Sequence, residues 1–194
     1  MLPFPHSRGM RHFLQKNFFF EHHRDRALGY DRGMDRDLMI RRKWTLRAHG
    51  KQIVLVKRVN EQSRHVLMKA FLWALYLPVY SEIHVEVSIG DRYKPDLVAL
   101  DSQGRPTFWG EAGQLGVDKT RALLRRYRDT HFAIAKWNVP LHPFLDNMKK
   151  AITSIDRRSP LDLIRFPLDS ATRFIKERGE ICIEHDMLEW IRIP

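Results

Sequence analysis

A disulfide within the chain is excluded from the outset, because Cys182 is the only cysteine in 194 residues. A thiol cluster for zinc is excluded with it. Cys182 lies in the strand-like run EICIEH, which predicts a place in the core. Long apolar runs are also missing. NFFF (17–20) is short, and AFLWALYL (70–77) continues an amphipathic helix, whereas a bilayer span needs roughly 20 residues. No apolar signal core opens the chain, so the expected location is cytoplasmic. Acidic excess is absent: 34 Lys and Arg stand against 23 Asp and Glu, a formal charge of +11. That balance favours an anionic partner, of which nucleic acid is the commonest. P-loop, Rossmann glycine and HExxH patterns are all absent, which argues against nucleotide hydrolysis, hydride transfer and zinc proteolysis.

Patterning divides the chain in two. Residues 1–43 are rich in Arg, His and Asp with little sustained periodicity, which predicts a flexible basic extension. Residues 44–194 read as the folded domain. WTLRA and QIVLVKR suggest a strand pair around His49-Gly50. NEQSRHVLMKAFLWALYL reads as a helix with Asn60 at its N-cap; its second half is apolar nearly all round, as in a helix packed inside a domain. SEIHVEVSI (81–89) alternates like a strand, with Glu82, His84 and Glu86 on its polar face. PDLVALD and RPTFWGEAG follow as two strands joined by a turn at 102–105. A helix is expected over 119–129 with Asp118 as N-cap, then a strand HFAIAKW (131–137). After Pro140 and Pro143 come a helix through LDNMKKAITSI, a strand DLIRFP, a short helix ended by Gly179, and a closing hairpin of EICIEH with LEWIRI. This order predicts an α/β fold, a mixed sheet with helices packed on it.

Asp96 and Glu111 stand on the two strands around residues 102–105. An even-numbered loop centred on Gln103-Gly104 sets Val98 opposite Trp109 and Asp96 opposite Glu111; a three-residue loop would break that register. Opposed side chains in a sheet have Cβ atoms about 4.5–5.5 Å apart, and like charges there are destabilising. The repulsion disappears if one acid is protonated, if one turns to solvent, or if both share a divalent cation. Mg²⁺ suits the last case, since it takes one or two carboxylates plus phosphate oxygens and water. Downstream, Arg121, Arg125 and Arg128 are spaced to form a basic stripe on one helix, suited to a polyanion.

Pro95-Asp96 and Glu111-Ala112-Gly113 resemble the paired motif of the PD-(D/E)XK nuclease superfamily, and the surrounding elements occur in that family's order. WGEAGQLGVDKTRALLRR resembles more closely the acid-x-Gly-Gln segment and basic helix of YaeQ proteins, with the likeness running from about residue 44 to 137. The resemblance implies a restriction-endonuclease-like αβββαβ core and phosphodiester hydrolysis in DNA or RNA with Mg²⁺, or Mn²⁺, as cofactor. It implies Asp96 and Glu111 as metal ligands, with Glu61 as a third. The motif lysine is missing: Gly113 stands in its place. Lys94, Gln114 and Lys119 are the substitutes to weigh, with Gln114 and Lys119 favoured as catalytic groups and Arg121, Arg125 and Arg128 as nucleic-acid contacts. The missing lysine leaves an alternative, a catalytically silent module on the same fold that binds nucleic acid or another protein.

Overall fold

The computed structural model describes residues 42–194. The expected extension therefore lies outside the described residues, apart from its last two positions; Lys43 already belongs to the first strand.

Strands β1 (Lys43–Ala48) and β2 (Lys51–Val56) pair antiparallel around a two-residue turn. His49 and Gly50 both take positive φ, 50° and 73°, the turn whose twist matches that of the strands it joins. His49 Nε2 donates to the Ala74 carbonyl at 3.1 Å, fastening the turn to helix α1 (Ser63–Tyr76). Every residue of α1 from Val66 to Tyr76 is buried. From Val66 onward the helix can be apolar nearly all round, Lys69 apart, because the hairpin covers one side and a six-stranded sheet the other.

That sheet follows chain order: β3 (Ile83–Val85), β4 (Leu97–Leu100), β5 (Pro106–Ala112), β6 (His131–Trp137), β7 (Leu161–Phe166) and β8 (Glu189–Ile193). β3, β4 and β5 run as an antiparallel meander; β5, β6 and β7 are parallel; β8 returns antiparallel. Helix α2 (Val117–Arg126) crosses from β5 to β6, and α3 (His142–Ile152) from β6 to β7. The sheet has a core on each face. Phe108, Ala133 and Ala135 pack towards α1, whereas Trp109, Phe132 and Ile134 pack with Leu123, Leu124 and Met148 of α2 and α3. Burial on both faces explains why β6 is an almost unbroken apolar run. A short helix α4 (Ser170–Phe174) sets Phe174 against Phe71 of α1. Tyr76, His131 and Arg192 all donate to the fully buried Asp162 and join α1, β6, β7 and β8.

Several expectations require correction. Asn60 is not the N-cap; the helix begins at Ser63, because residues 58–61 close a turn in which Glu61 N donates to Arg58 O and Arg58 N to Glu61 Oε2. β3 ends at Val85 instead of Ile89, because Glu86 adopts φ 56°. Helix α2 has Gly116 at its N-cap, placing Asp118 in the first turn, and it ends at Arg126. Pro143 sits in the first turn of α3, where its missing N–H leaves no bond unmade. EICIEH does not pair with β8, whose partner is β7. Cys182 is exposed, since Ile181 and Ile183 on either side turn inward.

Candidate active-site cleft

β5 and β6 end side by side, and their parallel register pairs Ala112 with Ala135. Beyond these ends lies a cleft of about 1120 Å³, walled by the start of α1 on one side and by Pro143 and Phe144 of α3 on the other. The carboxyl ends of parallel strands are the usual ligand position in such sheets. Asp96, Glu61, Glu86, His65, Gln114 and Lys136 all open onto it.

The hairpin of β4 and β5 decides how Asp96 and Glu111 approach. Its loop has three residues, Ser102–Gly104: Asp101 N donates to Arg105 O, and Gly104 takes φ 75°. Alone, that loop would put the strands out of the expected register. A bulge at Thr107 restores it, so that Leu100 pairs with Pro106 but Ala99 with Phe108 and Val98 with Trp109. The ladder closes at Leu97 and Gly110, one step short of the two acids. Asp96 then bonds sideways: its Oδ2 accepts from Ala112 N at 2.8 Å, and its Oδ1 stands 3.5 Å from His65 Nε2.

Glu111 turns the other way, onto the face of Trp109 and α2. The residue is 5% exposed; Trp109 Nε1 donates to its Oε1 at 2.8 Å, and Lys119 Nζ donates to both carboxylate oxygens. The two acids therefore differ electrostatically. Burial raises the pKa of Asp96, but the His65 imidazole, the Ala112 amide and the Lys69 charge outweigh it and hold the carboxyl below its ordinary value. Burial pushes Glu111 up, the charge of Asp96 adds to this, and Trp109 and Lys119 only partly oppose it. Asp96 in turn raises the pKa of His65 above its ordinary value, against the effect of burial.

Glu61 lies on the cleft but is held there. Its Oε1 accepts from Lys69 Nζ at 2.5 Å, and its Oε2 from the Arg58 amide. Glu86, expected on a polar strand face, also reaches the cleft: its turned backbone directs the carboxylate to Lys69 and Arg58. Lys69, only 1% exposed on the apolar helix, thus bridges two acids. Motif and spacing arguments passed over this residue, although a lysine inside VLMKAFLWAL signals a charge the fold must pair.

Lys119 and Gln114 are both near the acids, with different surroundings. Lys119, in the first turn of α2, reaches back to Glu111; Gln114 is exposed on the cleft. The arginine stripe is elsewhere. Arg121 pairs with Asp118, Arg125 is exposed, Arg128 lies beyond the end of α2, and none of the three lines the cleft. Its basic lining consists of Arg58, Arg64, Lys94 and Lys136.

Among the described residues, no group of three or more His, Cys, Asp or Glu side chains is arranged to hold a metal ion. A cation would have two carboxylates to use, Asp96 and Glu111, together with water and substrate oxygens, a donor set that Mg²⁺ accepts. The charge on Asp96 disfavours ionised Glu111, which a shared cation would reverse, but Glu111 would have to exchange Lys119 for it. Glu61, bonded to Lys69, shares His65 with Asp96: its Oε1 also stands 3.5 Å from His65 Nε2.

No protein-family model and no curated protein matches the chain in sequence. Solved structures do match in fold. The YaeQ protein from Xanthomonas axonopodis pv. citri aligns with a TM-score of 0.50 at 15% identity, covering 72% of this chain and 81% of that one. The YaeQ protein from Pseudomonas syringae aligns with a TM-score of 0.53 at 15% identity, covering 73% and 80%. At this identity the likeness establishes a shared fold.

Proposed function

We propose that this chain is a YaeQ-type member of the PD-(D/E)XK group and hydrolyses phosphodiester bonds in nucleic acid with the help of a divalent cation. The observation that carries the reading is Asp96, open to a cleft large enough for a nucleotide chain, with Glu111 and Lys119 paired behind it on the next strand and helix. Asp96 and Glu111 hold the cation in this reading. When bound, Mg²⁺ or Mn²⁺ lowers the pKa of a ligand water and offsets charge on the phosphate. Lys119, paired with Glu111, would neutralise that acid or contact a substrate phosphate from the first turn of α2. Gln114 orients water or phosphate as a neutral hydrogen-bonding group. Arg58, Arg64 and Lys94 attract the backbone along the cleft, with Arg121, Arg125 and Arg128 adding long-range steering. The test is cleavage of DNA and RNA oligonucleotides with Mg²⁺ or with chelator, by wild type and by Asp96→Asn. Cleavage confined to wild type with metal is the expected result.

One observation favours a second reading, a module that binds nucleic acid without cutting it. Each carboxylate already has a basic partner within the protein: Glu111 faces Lys119, Asp96 faces the His65 imidazole, and Glu61 and Glu86 face Lys69. Oligonucleotide binding that persists in Asp96→Asn, with no cleavage by wild type under any divalent ion, selects this reading.

A further inference from the structure

The geometry points to Lys136 as the phosphate-contacting ammonium of the cleft, supplying from β6 the positive charge that the motif position at Gly113 lacks. The inference deepens the proposed function and rests on reading the cleft as a nucleic-acid site.

Gly113 cannot readily carry the charge itself. A Cβ there would meet nothing closer than 3.6 Å, so space is not the obstacle. The backbone is: Gly113 sits at φ +86°, a conformation that L side chains rarely adopt, while its N–H donates to Ala135 O at 3.0 Å. The same parallel register brings the next residue of β6, Lys136, alongside. Lys136 Nζ donates to the Gly113 carbonyl at 2.6 Å, so the ammonium lies on the backbone of the motif position. Its Nζ also stands 4.1 Å from the centre of the Phe144 ring, which holds it against the cleft wall.

The other cations near the motif are differently engaged. Lys119 donates to both oxygens of Glu111, and Lys69 joins Glu61 and Glu86. Gln114 bears no charge, and Lys94 is exposed at the rim. Among the described residues no carboxylate pairs with Lys136. An ammonium has three donors, and Gly113 takes one. A half-buried cation without a counter-ion is disfavoured, and burial pushes the Lys136 pKa down to about 8. A phosphate oxygen entering the cleft supplies both the acceptors and the opposing charge.

The test uses the full chain and a fluorescein-labelled single-stranded oligonucleotide, as DNA and as RNA. Affinity is read by anisotropy in chelator, and cleavage is read separately in Mg²⁺. Lys136→Met should weaken metal-free binding roughly tenfold or more, with Lys136→Arg recovering most of it. In wild type, acylation of the Lys136 amine at pH 8, followed by peptide mass spectrometry, should be suppressed by the oligonucleotide; a merely structural lysine would show no such protection. Unchanged affinity in folded Lys136→Met, or acylation indifferent to oligonucleotide, overturns the inference even if Asp96→Asn abolishes cleavage and the hydrolase reading stands. Weakened binding and protection without cleavage by wild type uphold Lys136 as the phosphate contact and overturn hydrolysis. No binding by wild type overturns both.

Discussion

Lys119 Nζ donates to both carboxylate oxygens of Glu111, at 3.0 and 2.9 Å, from the first turn of the helix that follows the strand carrying the acid. The ammonium occupies the side of Glu111 turned towards α2, while Asp96 bonds to the Ala112 amide from the cleft side. Two acids on neighbouring strands are thus accommodated by facing different partners.

Removing Lys119 exposes the cost of that arrangement. Lys119→Met leaves the Glu111 carboxylate buried with only Trp109 as donor, and should destabilise the protein by about 2 kcal/mol at pH 7, less than a fully buried pair because the lysine is partly exposed. Glu111 already has a folded-state pKa above its ordinary 4.5, and loss of Lys119 raises it further. A raised folded pKa contributes stability that is full below the unfolded value and lost as the pH climbs through the folded one. Urea titrations should therefore show Lys119→Met nearest to wild type around pH 4 and falling behind towards neutrality.

Millimolar Mg²⁺ or Mn²⁺ should raise the thermal midpoint of wild type, because a ligand bound only by the native state stabilises it, by about 2.7 kcal/mol at a hundredfold excess over its dissociation constant. Asp96→Asn with Glu111→Gln should remove the effect. An equal shift in that double variant would place the cation somewhere else.

Lys69 is the ammonium the fold can least do without. Lys69→Met removes the ammonium that Glu61 and Glu86 share and leaves Arg58 as a remaining partner of both, and should cost about 3 kcal/mol in urea unfolding. Adding Glu61→Gln and Glu86→Gln should return much of that stability.

The basic lining of the cleft predicts which residues govern nucleic-acid affinity. Replacing Arg64 and Lys94 with alanine should reduce the salt dependence of oligonucleotide binding by about two units of slope, one for each phosphate no longer neutralised. Replacing Arg125 and Arg128, which lie off the cleft, should mainly slow association and change the slope less.

Acid stability should depend on Asp162. Burial raises its pKa, but bonds from Arg192, His131 and Tyr76 outweigh this and hold the carboxyl well below its ordinary 3.8. Such a group contributes stability that is present above the unfolded pKa and lost as the pH falls through the folded one. Asp162→Asn should cost about 3 kcal/mol near neutrality, and the gap to wild type should narrow below about pH 4 in a chemical-denaturation series.

Local chemistry alone determined much of this protein. The His49-Gly50 turn, the largely apolar α1, the β4–β5 hairpin and the mostly apolar β6 follow from periodicity and turn residues, which act within a few positions along the chain. The same signals brought Asp96 and Glu111 to adjacent strand ends and Lys119 to the next helix. Tertiary structure decided the rest. Whether Glu86 extends a strand or turns into the cleft depends on Lys69 and Arg58, distant in sequence, to which its carboxylate is bound. The bulge at Thr107 that restores the hairpin register has no local signature. The arginine stripe, legible as a helix face, does not line the cleft, because helical spacing says which residues share a face and not what that face meets. Lys136 reads in sequence as an interruption of an apolar strand. Only the parallel pairing of β5 with β6, a contact across an intervening helix, brings its ammonium to the backbone of Gly113.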